Sequence, residues 1–335
     1  MRLKRKKVRE AEAPFYDTTE YWLWQLELLA MTSLGWFVGK GMGNRTVERE
    51  SFGLISVIMA AYNAEKTIIQ AIESVLNQTY PHFELLVVND CSTDRTVELV
   101  KKKAARDRRV RLISNRKNSG VSCTRKHGLD EARGEWIAIL DSDDAWAPEK
   151  LEKQIALQGK MNADLLFTGS AFVDADGQPI DWYLHAPVEV SYRQLLKQNL
   201  LSNSSALVRK ELYAKHYAIG DEMHEDFAIW LGILKEGRKA YGVDEPLLIY
   251  RITKSSKSGN KVKAAMMNWN TYRYIGLNVI EATYYEMWYM LKNIIKYSNL
   301  KISRGGVTPK TSHEEFCAVI FSRPSLCEVE QWRAA

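Results

Sequence analysis

Cysteine is scarce in this chain. Its 335 residues hold only Cys91, Cys123, Cys317 and Cys327, with no CxxC spacing. That excludes a disulfide framework of the kind that staples small secreted domains. No secretory signal pattern is evident, so a reducing cytosolic compartment is the expectation. The six histidines show no metal-ligand spacing. A long uninterrupted apolar run is also missing. The nearest candidate, residues 21–38, is Trp-rich but broken by Gln25 and Glu27, and is expected to lie at an interface or dock on a core rather than span a bilayer. There is no Gly-x-Ser-x-Gly elbow and no Walker loop, which leaves a serine hydrolase and a P-loop NTPase without support. Acidic residues are absent from residues 1–9, which carry Arg2, Lys4, Arg5, Lys6, Lys7 and Arg9. The net charge is +6, so the remainder of the chain is neutral. A neutral body excludes broad nucleic-acid binding, and the basic tip fits an anionic membrane surface or a solvated tail.

What is present is an ordinary globular composition, 46% hydrophobic and 26% charged. Residues 1–50 read as a basic, Trp-rich appendage. Gly39, Gly41 and Gly43 lack the strand-turn-helix context of a dinucleotide fingerprint. From residue 54, strands and helices alternate. Residues 54–60, 84–88, 109–113 and 136–140 read as strands. Residues 65–77, 93–105 and 121–132 read as helices, the first with Ile68, Ala71, Ile72, Val75 and Leu76 at helical spacing. Gly134 is a C-cap, and Pro148 opens a fourth helix over 148–161. This order predicts an α/β fold with a mostly parallel, doubly wound sheet. The second half is less regular. Strands are expected at 164–168, 171–173, 206–209 and 247–250, with a hairpin turn at Asp176-Gly177. Helices are expected at 191–198 and 225–235, the latter amphipathic, and a long aromatic-rich helical segment at 261–300. Residues 305–335 have no clear periodicity and read as a tail.

The most informative motif is Leu140-Asp141-Ser142-Asp143-Asp144 at the end of the fourth strand. Three carboxylates in four residues repel one another unless a positive charge lies among them. Hard oxygen ligands suit Mg2+ or Mn2+, and strand ends in an open α/β sheet are where ligands bind. An acidic turn that caps the Pro148 helix fits the same residues. Ala60-Ala61-Tyr62-Asn63 ends the first strand. Its small residues allow close approach of a ligand, and Tyr62 can cover a flat ring or simply plug the strand end. In Val88-Asn89-Asp90-Cys91-Ser92-Thr93-Asp94, Asp90 can accept from the imide N–H of a uracil while Ser92, Thr93 and Asp94 cap the next helix. Asn118-Ser119-Gly120-Val121-Ser122 opens a helix whose N-terminus, with Arg125 and Lys126, can face phosphates or solvent. Glu225-Asp226 offers a general base, or simply acids that suit a helix N-terminus. Tyr250-Arg251, followed by Ser255, Ser256, Lys257 and Ser258, forms a basic polar loop able to cover a phosphate or stay solvated.

In this order, the motifs from residue 54 to 261 resemble the catalytic domain of glycosyltransferase family 2, which has a GT-A fold. The match rests on Ser56 through Asn63, Ser74-Val75-Leu76-Asn77-Gln78-Thr79-Tyr80, Val88 through Asp94, Asn118 through Ser122, Leu140 through Asp144, Glu225-Asp226 and Tyr250-Arg251. Residues 185–263 are similar to bacterial enzymes of teichuronic acid, capsule or lipopolysaccharide assembly. The resemblance implies a domain over 51–260, with a nucleotide-binding half (51–145) and an acceptor half (146–260), then a helical region at 261–304. It implies that Ala60, Tyr62, Asp90 and Asp143 bind the nucleotide. Asp141, Asp143 and Asp144 would hold Mn2+ or Mg2+, and Asp226 would be the base of an inverting transfer. Arg125, Glu225 and Arg251 are candidate phosphate or acceptor contacts. The donor implied is a nucleotide-sugar, in first place a UDP-sugar, and the acceptor a glycan or lipid-linked glycan. The family often has Pro where Ala60 or Ala61 stands, and Asp where Asn89 stands.

Residues 251–304 hold ten basic residues against two acids, together with Trp269, Trp288 and six tyrosines. Such a segment suits a membrane interface, and equally a core-packing or dimerising helix. The expected location is the cytoplasm, peripheral on the inner face of the cell membrane. Two other functional classes fit parts of the pattern. A sugar nucleotidyltransferase would show a glycine-rich basic loop after the first strand, and residues 60–65 are not that. A non-catalytic nucleotide- or glycan-binding relic would have no need of an intact Asp144 and Asp226.

Overall fold

A computed structural model describes residues 52–252 and 261–303. The expectations for the N-terminal appendage, the 255–258 loop and the tail lie outside these residues. The first half is four parallel strands, β1 (Ile55–Ala61), β2 (Phe83–Asn89), β3 (Val110–Ser114) and β4 (Trp136–Ile139). Helices α1 (Ile68–Leu76), α2 (Thr96–Ala104) and α3 (Val121–Glu131) connect them. β1 and β2 are buried on both faces, as parallel strands covered by helices must be. Val57 and Met59 join α1 side chains Ile68, Ala71, Ile72 and Val75 in one core layer. Ile58 faces the opposite layer, with Leu86, Leu129, Ile137 and Ile139.

After β4 come the two-residue β5 (Ala145–Trp146) and α4 (Lys150–Met161), then β6 (Leu165–Val173), β7 (Pro179–Leu184) and β8 (Glu189–Val190). The chain continues through α5 (Tyr192–Lys197), β9 (Leu207–Arg209), α6 (Lys210–Lys215), α7 (Glu225–Lys235) and β10 (Ala240–Arg251), and ends in α8 (Lys261–Tyr274) and α9 (Val279–Ser303). All strands belong to one sheet of order β3-β2-β1-β4-β9-β6-β10-β5, with β7 on β6 and β8 on β10. β9 runs antiparallel to both β4 and β6, and β10 runs parallel to β6. The expected mixed second half is therefore present. The chain winds outward from β1 to β3 and then returns to place β4 on the other side of β1. The strand tips at that switch point are where open α/β sheets take ligands.

Several elements differ from the sequence reading. The two strands expected at 164–168 and 171–173 are one, β6. Gly169 lies within it because a Cβ there would overlap the Tyr183 hydroxyl on β7, so it marks a close approach rather than a break. β10 is twelve residues long, not four, and its register with β6 shifts between Val243 and Leu248 around Pro246, which has no N–H to offer the ladder. α6 and β7 had no assignment from sequence. α7 is not a surface amphipathic helix: Phe227, Ala228, Ile229, Trp230, Leu231, Ile233 and Leu234 are all buried. The long helix expected over 261–300 is two. Gly276 takes φ +90 after α8. Asn278 then caps α9: Glu281 N–H donates to Asn278 Oδ1 at 2.9 Å, and Asn278 N–H donates to Glu281 Oε2 at 2.9 Å. This is the reciprocal pattern of a capping box.

Candidate active site

The loops that follow β1 and β2 are tied together. Asn63, at φ 48, accepts from Thr93 N–H at 2.8 Å, and its own N–H donates to Ser92 Oγ at 3.0 Å. Asp94 accepts from Glu65 N–H and Thr96 N–H. It therefore caps α2 from outside the helix, which begins at Thr96. Asn89 Oδ1 accepts from Ser92 N–H at 3.0 Å, forming the turn that carries Asp90.

Asp90 is buried and organises a third loop. Its Oδ1 accepts from Asn115 Nδ2 at 2.8 Å and Ser119 N–H at 2.9 Å, and its Oδ2 accepts from Gly120 N–H at 2.9 Å. Oδ2 thus retains acceptor capacity. Gly120 is required here, because its φ is +82 and a Cβ would run into the Asp221 carboxylate. A cavity of about 320 Å³ opens between these loops, lined by Ala60, Ala61, Tyr62, Asp90, Asn118, Gly120, Val121, Thr124 and Asp221. Of the four residues that the resemblance assigns to the nucleotide, Ala60, Tyr62 and Asp90 come together there, and Asp143 is not among the lining residues. Asp221 had no sequence signal, because it sits in an irregular segment about a hundred residues away.

The carboxylates stand at the tip of β4, beside β1. Leu140 N–H donates to Ile58 O at 3.1 Å, so the acidic turn begins where the β1–β4 ladder ends. Asp141 N–H donates to Ser204 Oγ at 3.2 Å, and the carbonyl of Ser204 accepts from Trp146 Nε1 at 2.7 Å. Arg125 is buried and divided between two acids: Nη2 pairs with Asp141 Oδ1, and Nη1 with Glu225 Oε1. These two acids hold its guanidinium well above its ordinary range despite burial. Arg125 and Glu225, candidate phosphate or acceptor contacts by sequence, are instead partners inside the protein. Lys126 pairs with Asp130 at 2.5 Å. Arg251 is likewise occupied. Its Nε donates to Asp143 O at 3.1 Å, its Nη1 to the carbonyls of Asp174 and Ala175, and its Nη2 to Gln70 Oε1 at 2.7 Å. Its backbone N–H donates to Asp144 Oδ1 at 3.0 Å. Arg251 therefore positions the acidic turn.

Arg125 compensates one acid of the triplet and leaves the other two. Asp144 is buried, and its Oδ2 has no hydrogen-bond partner. Burial, then the charges of Asp143 and Asp141, push its carboxyl well above the usual range. Burial and the neighbouring Asp141 charge push Asp143 up to about 6. Among the described residues, no group of three or more His, Cys, Asp or Glu side chains is arranged to hold a metal. Asp141, Asp143 and Asp144 thus do not form a ready three-ligand site. One or two carboxylates with an unsatisfied buried oxygen do fit Mg2+ or Mn2+, which take their remaining ligands from phosphates and water.

The remaining candidate, Asp226, follows Glu225. It lies in the first turn of α7, where the helix dipole favours an acid. Burial first, and the Glu225 charge second, nevertheless raise its carboxyl, with His224 and Arg125 opposing them. A raised carboxylate is a better proton acceptor at neutral pH. Arg125 ties the acidic turn of β4 to the helix that carries Asp226.

Two outcomes follow from this electrostatic arrangement. Arg125→Gln leaves Asp141 and Glu225 without their buried cation and is expected to cost about 3–5 kcal/mol in urea unfolding. A loss below about 1 kcal/mol would mean that the bridge does not hold the two elements together. Binding that needs ionised Asp143 is expected to weaken as pH falls through about 6, by about tenfold per pH unit below it. Metal-dependent nucleotide affinity measured from pH 7.5 down to 5 checks this; a flat profile contradicts it.

A family model described as Glycosyl transferase family 2 matches residues 56–218. The chain is 36% identical over 244 residues to a putative teichuronic acid biosynthesis glycosyltransferase, TuaG, of Bacillus subtilis, covering 72% of this chain and 96% of that protein. It is 33% identical over 246 residues to WfgD of Escherichia coli, described as a UDP-Glc:alpha-D-GlcNAc-diphosphoundecaprenol beta-1,3-glucosyltransferase, covering 73% and 95%. Among solved structures it is similar to S. aureus TarS 1-349 in complex with UDP-GlcNAc, with a TM-score of 0.55 and 22% identity over 68% of this chain and 69% of that one. It is also similar to the mannosyltransferase PcManGT of Pyrobaculum calidifontis in complex with GDP-Man and Mn2+, with a TM-score of 0.55 and 15% identity over 94% and 88%. At these identities the structural likeness establishes the GT-A fold.

Proposed function

The chain belongs to glycosyl transferase family 2, and from that premise we propose that it transfers a sugar from a UDP-sugar to a hydroxyl of a lipid-linked cell-surface glycan, with inversion at the anomeric carbon. The observation that carries this reading is the Arg125 bridge. It joins the acidic turn at the tip of β4 to the N-terminus of α7, so that a donor site and a base are linked through one buried side chain. The name of the E. coli relative WfgD supports both the uridine nucleotide and the diphosphoundecaprenol-linked acceptor.

The uracil lies in the cavity between the β1 and β2 loops. Its imide N–H donates to Asp90, and Tyr62 covers the ring. Asp143 and Asp144 would hold a divalent cation, which supplies charge neutralisation for the departing diphosphate. Asp226 accepts the proton of the acceptor hydroxyl. The hydroxyl oxygen forms its bond to the anomeric carbon as the bond to the diphosphate oxygen breaks, and the bonding pair leaves with UDP. One in-line displacement inverts the configuration, with no covalent sugar–enzyme intermediate. The low-dielectric pocket that raises Asp226 strengthens its draw on the hydroxyl proton.

Incubation with Mn2+, a panel of UDP-, GDP- and dTDP-sugars and a diphosphate-lipid glycan acceptor tests this, with NMR of the product's anomeric proton. Transfer from a UDP-sugar with inverted configuration is the expected result. Transfer from GDP-sugars alone would overturn the role of Asp90, transfer from dTDP-sugars alone would overturn the choice of UDP while keeping an imide N–H for Asp90, and a retained configuration would overturn the single displacement.

A further inference from the structure

Helix α9 is apolar on two opposite sides. One side carries Ala282, Tyr285, Glu286 and Tyr289, which are buried in or pack against the core beside α8 and α5. The other side carries Ile280, Tyr284, Met287 and Leu291, at the 4, 3 and 4 spacing of a single helical stripe. These four are 82%, 50%, 63% and 49% exposed. Trp288 flanks them, with Lys197 Nζ 5.6 Å from its ring centroid. On α8, Val262 and Met266 are exposed as well. A helix apolar all round is normally buried all round, and a row of large exposed side chains some 17 Å long calls for a partner.

We infer that this outer face of α9 seats the enzyme on an anionic lipid bilayer, in the plane of the headgroups. Charge identifies the partner. Leaving out Arg251, whose side chain is buried and bonded inside the protein, residues 252–304 carry nine basic residues against two acids. One of the acids, Glu286, is buried, and the other, Glu281, caps its own helix. Two copies of this segment facing each other would repel, whereas an anionic surface complements it. Lys263 and Arg273 are exposed on α8. Tyr284 and Trp288 have the apolar body and polar edge that favour the headgroup layer. Among the described residues no helix is long and apolar enough to cross a membrane, so the contact is a surface seat. The inference rests on the proposed lipid-linked acceptor, since a bilayer seat would bring the enzyme to a substrate that stays in the membrane.

Sedimentation of the full chain with phosphatidylglycerol–phosphatidylcholine vesicles, against pure phosphatidylcholine, tests the seat. The wild type is expected to bind the anionic vesicles and to be largely released by high salt. Met287→Glu with Leu291→Glu is expected to lower that binding at least about tenfold, while transfer to a water-soluble acceptor analogue is unchanged. That soluble assay reports on the transferase reading independently of the membrane. Tyr284→Ser, a milder change, should give a smaller loss in the same direction, with the melting temperature as the check on folding. Unchanged vesicle binding in both variants would overturn the proposal. A wild-type dimer that becomes monomeric in the double variant, with no vesicle binding by the wild type, would overturn it in favour of a second copy.

Discussion

Asp226→Asn is expected to lower the rate of transfer by about 10²–10⁴-fold, the range that a positioned general base contributes, while leaving UDP affinity within about twofold. Asparagine keeps the size and an acceptor oxygen but cannot take the proton. The helix it sits on is fixed by the buried apolar face of α7 and by the Arg125–Glu225 pair, so the substitution leaves that helix in place. The pH profile supplies a second readout. Burial and the Glu225 charge raise the Asp226 carboxyl, so the acid limb of kcat in the wild type reflects its ionisation. In the variant that limb should be lost from the residual activity. Wild-type turnover by the variant would remove Asp226 as the base and direct attention to Asp143, a carboxyl of the acidic turn that is also raised.

Asp144→Asn is expected to abolish metal-dependent donor binding and, at the same time, to stabilise the protein in the presence of a chelator. Both effects come from one feature, a buried carboxylate with one oxygen unpaired. The folded protein holds the Asp144 proton more tightly than the unfolded chain does. In the unliganded protein the contribution of Asp144 to stability is therefore fully present below the ordinary carboxylate range and is lost as pH rises through the folded-state value. Asp143 adds a similar loss between its ordinary value of 3.8 and about 6. At neutral pH both carboxylates therefore weaken the empty protein. Asparagine at 144 keeps an acceptor for the Arg251 N–H and removes the charge. The melting temperature at pH 7.5 with EDTA should rise, by ~2–4 °C for each kcal/mol relieved. A melting temperature equal to or below the wild type's, together with retained Mn2+-dependent binding, would place Asp144 outside the donor site.

The first half of the fold could be read because its signals are local. Each of β1 to β4 is a short apolar run followed by a helix with apolar spacing, and such units assemble in few ways. The acidic turn could be read for the same reason: three carboxylates in four residues are adjacent in the chain. What could not be read is long-range. Arg125 lies near a motif that appeared to face phosphate, yet its partners are 16 and 100 residues away. Arg251 follows a strand end as a phosphate-binding arginine would, yet four carbonyl and amide oxygens hold its side chain. Asp221 reaches the cavity from a segment with no periodicity. Other features left a local signal. Gly276 followed by Asn278-Val279-Ile280-Glu281 is a helix stop and a capping box in sequence, but the surrounding apolar spacing runs straight through it. In β10, Pro246 hid a strand that continues on both sides of a register shift.

Calorimetric titration of UDP into the full chain, with Mn2+ and with EDTA, for wild type and Asp144→Ala, tests the central claim most directly. The predicted result is binding by the wild type that depends on Mn2+ and is lost in the variant. Equal affinities for UDP in all four combinations would contradict it, because the carboxylates at the tip of β4 would then take no part in holding the donor.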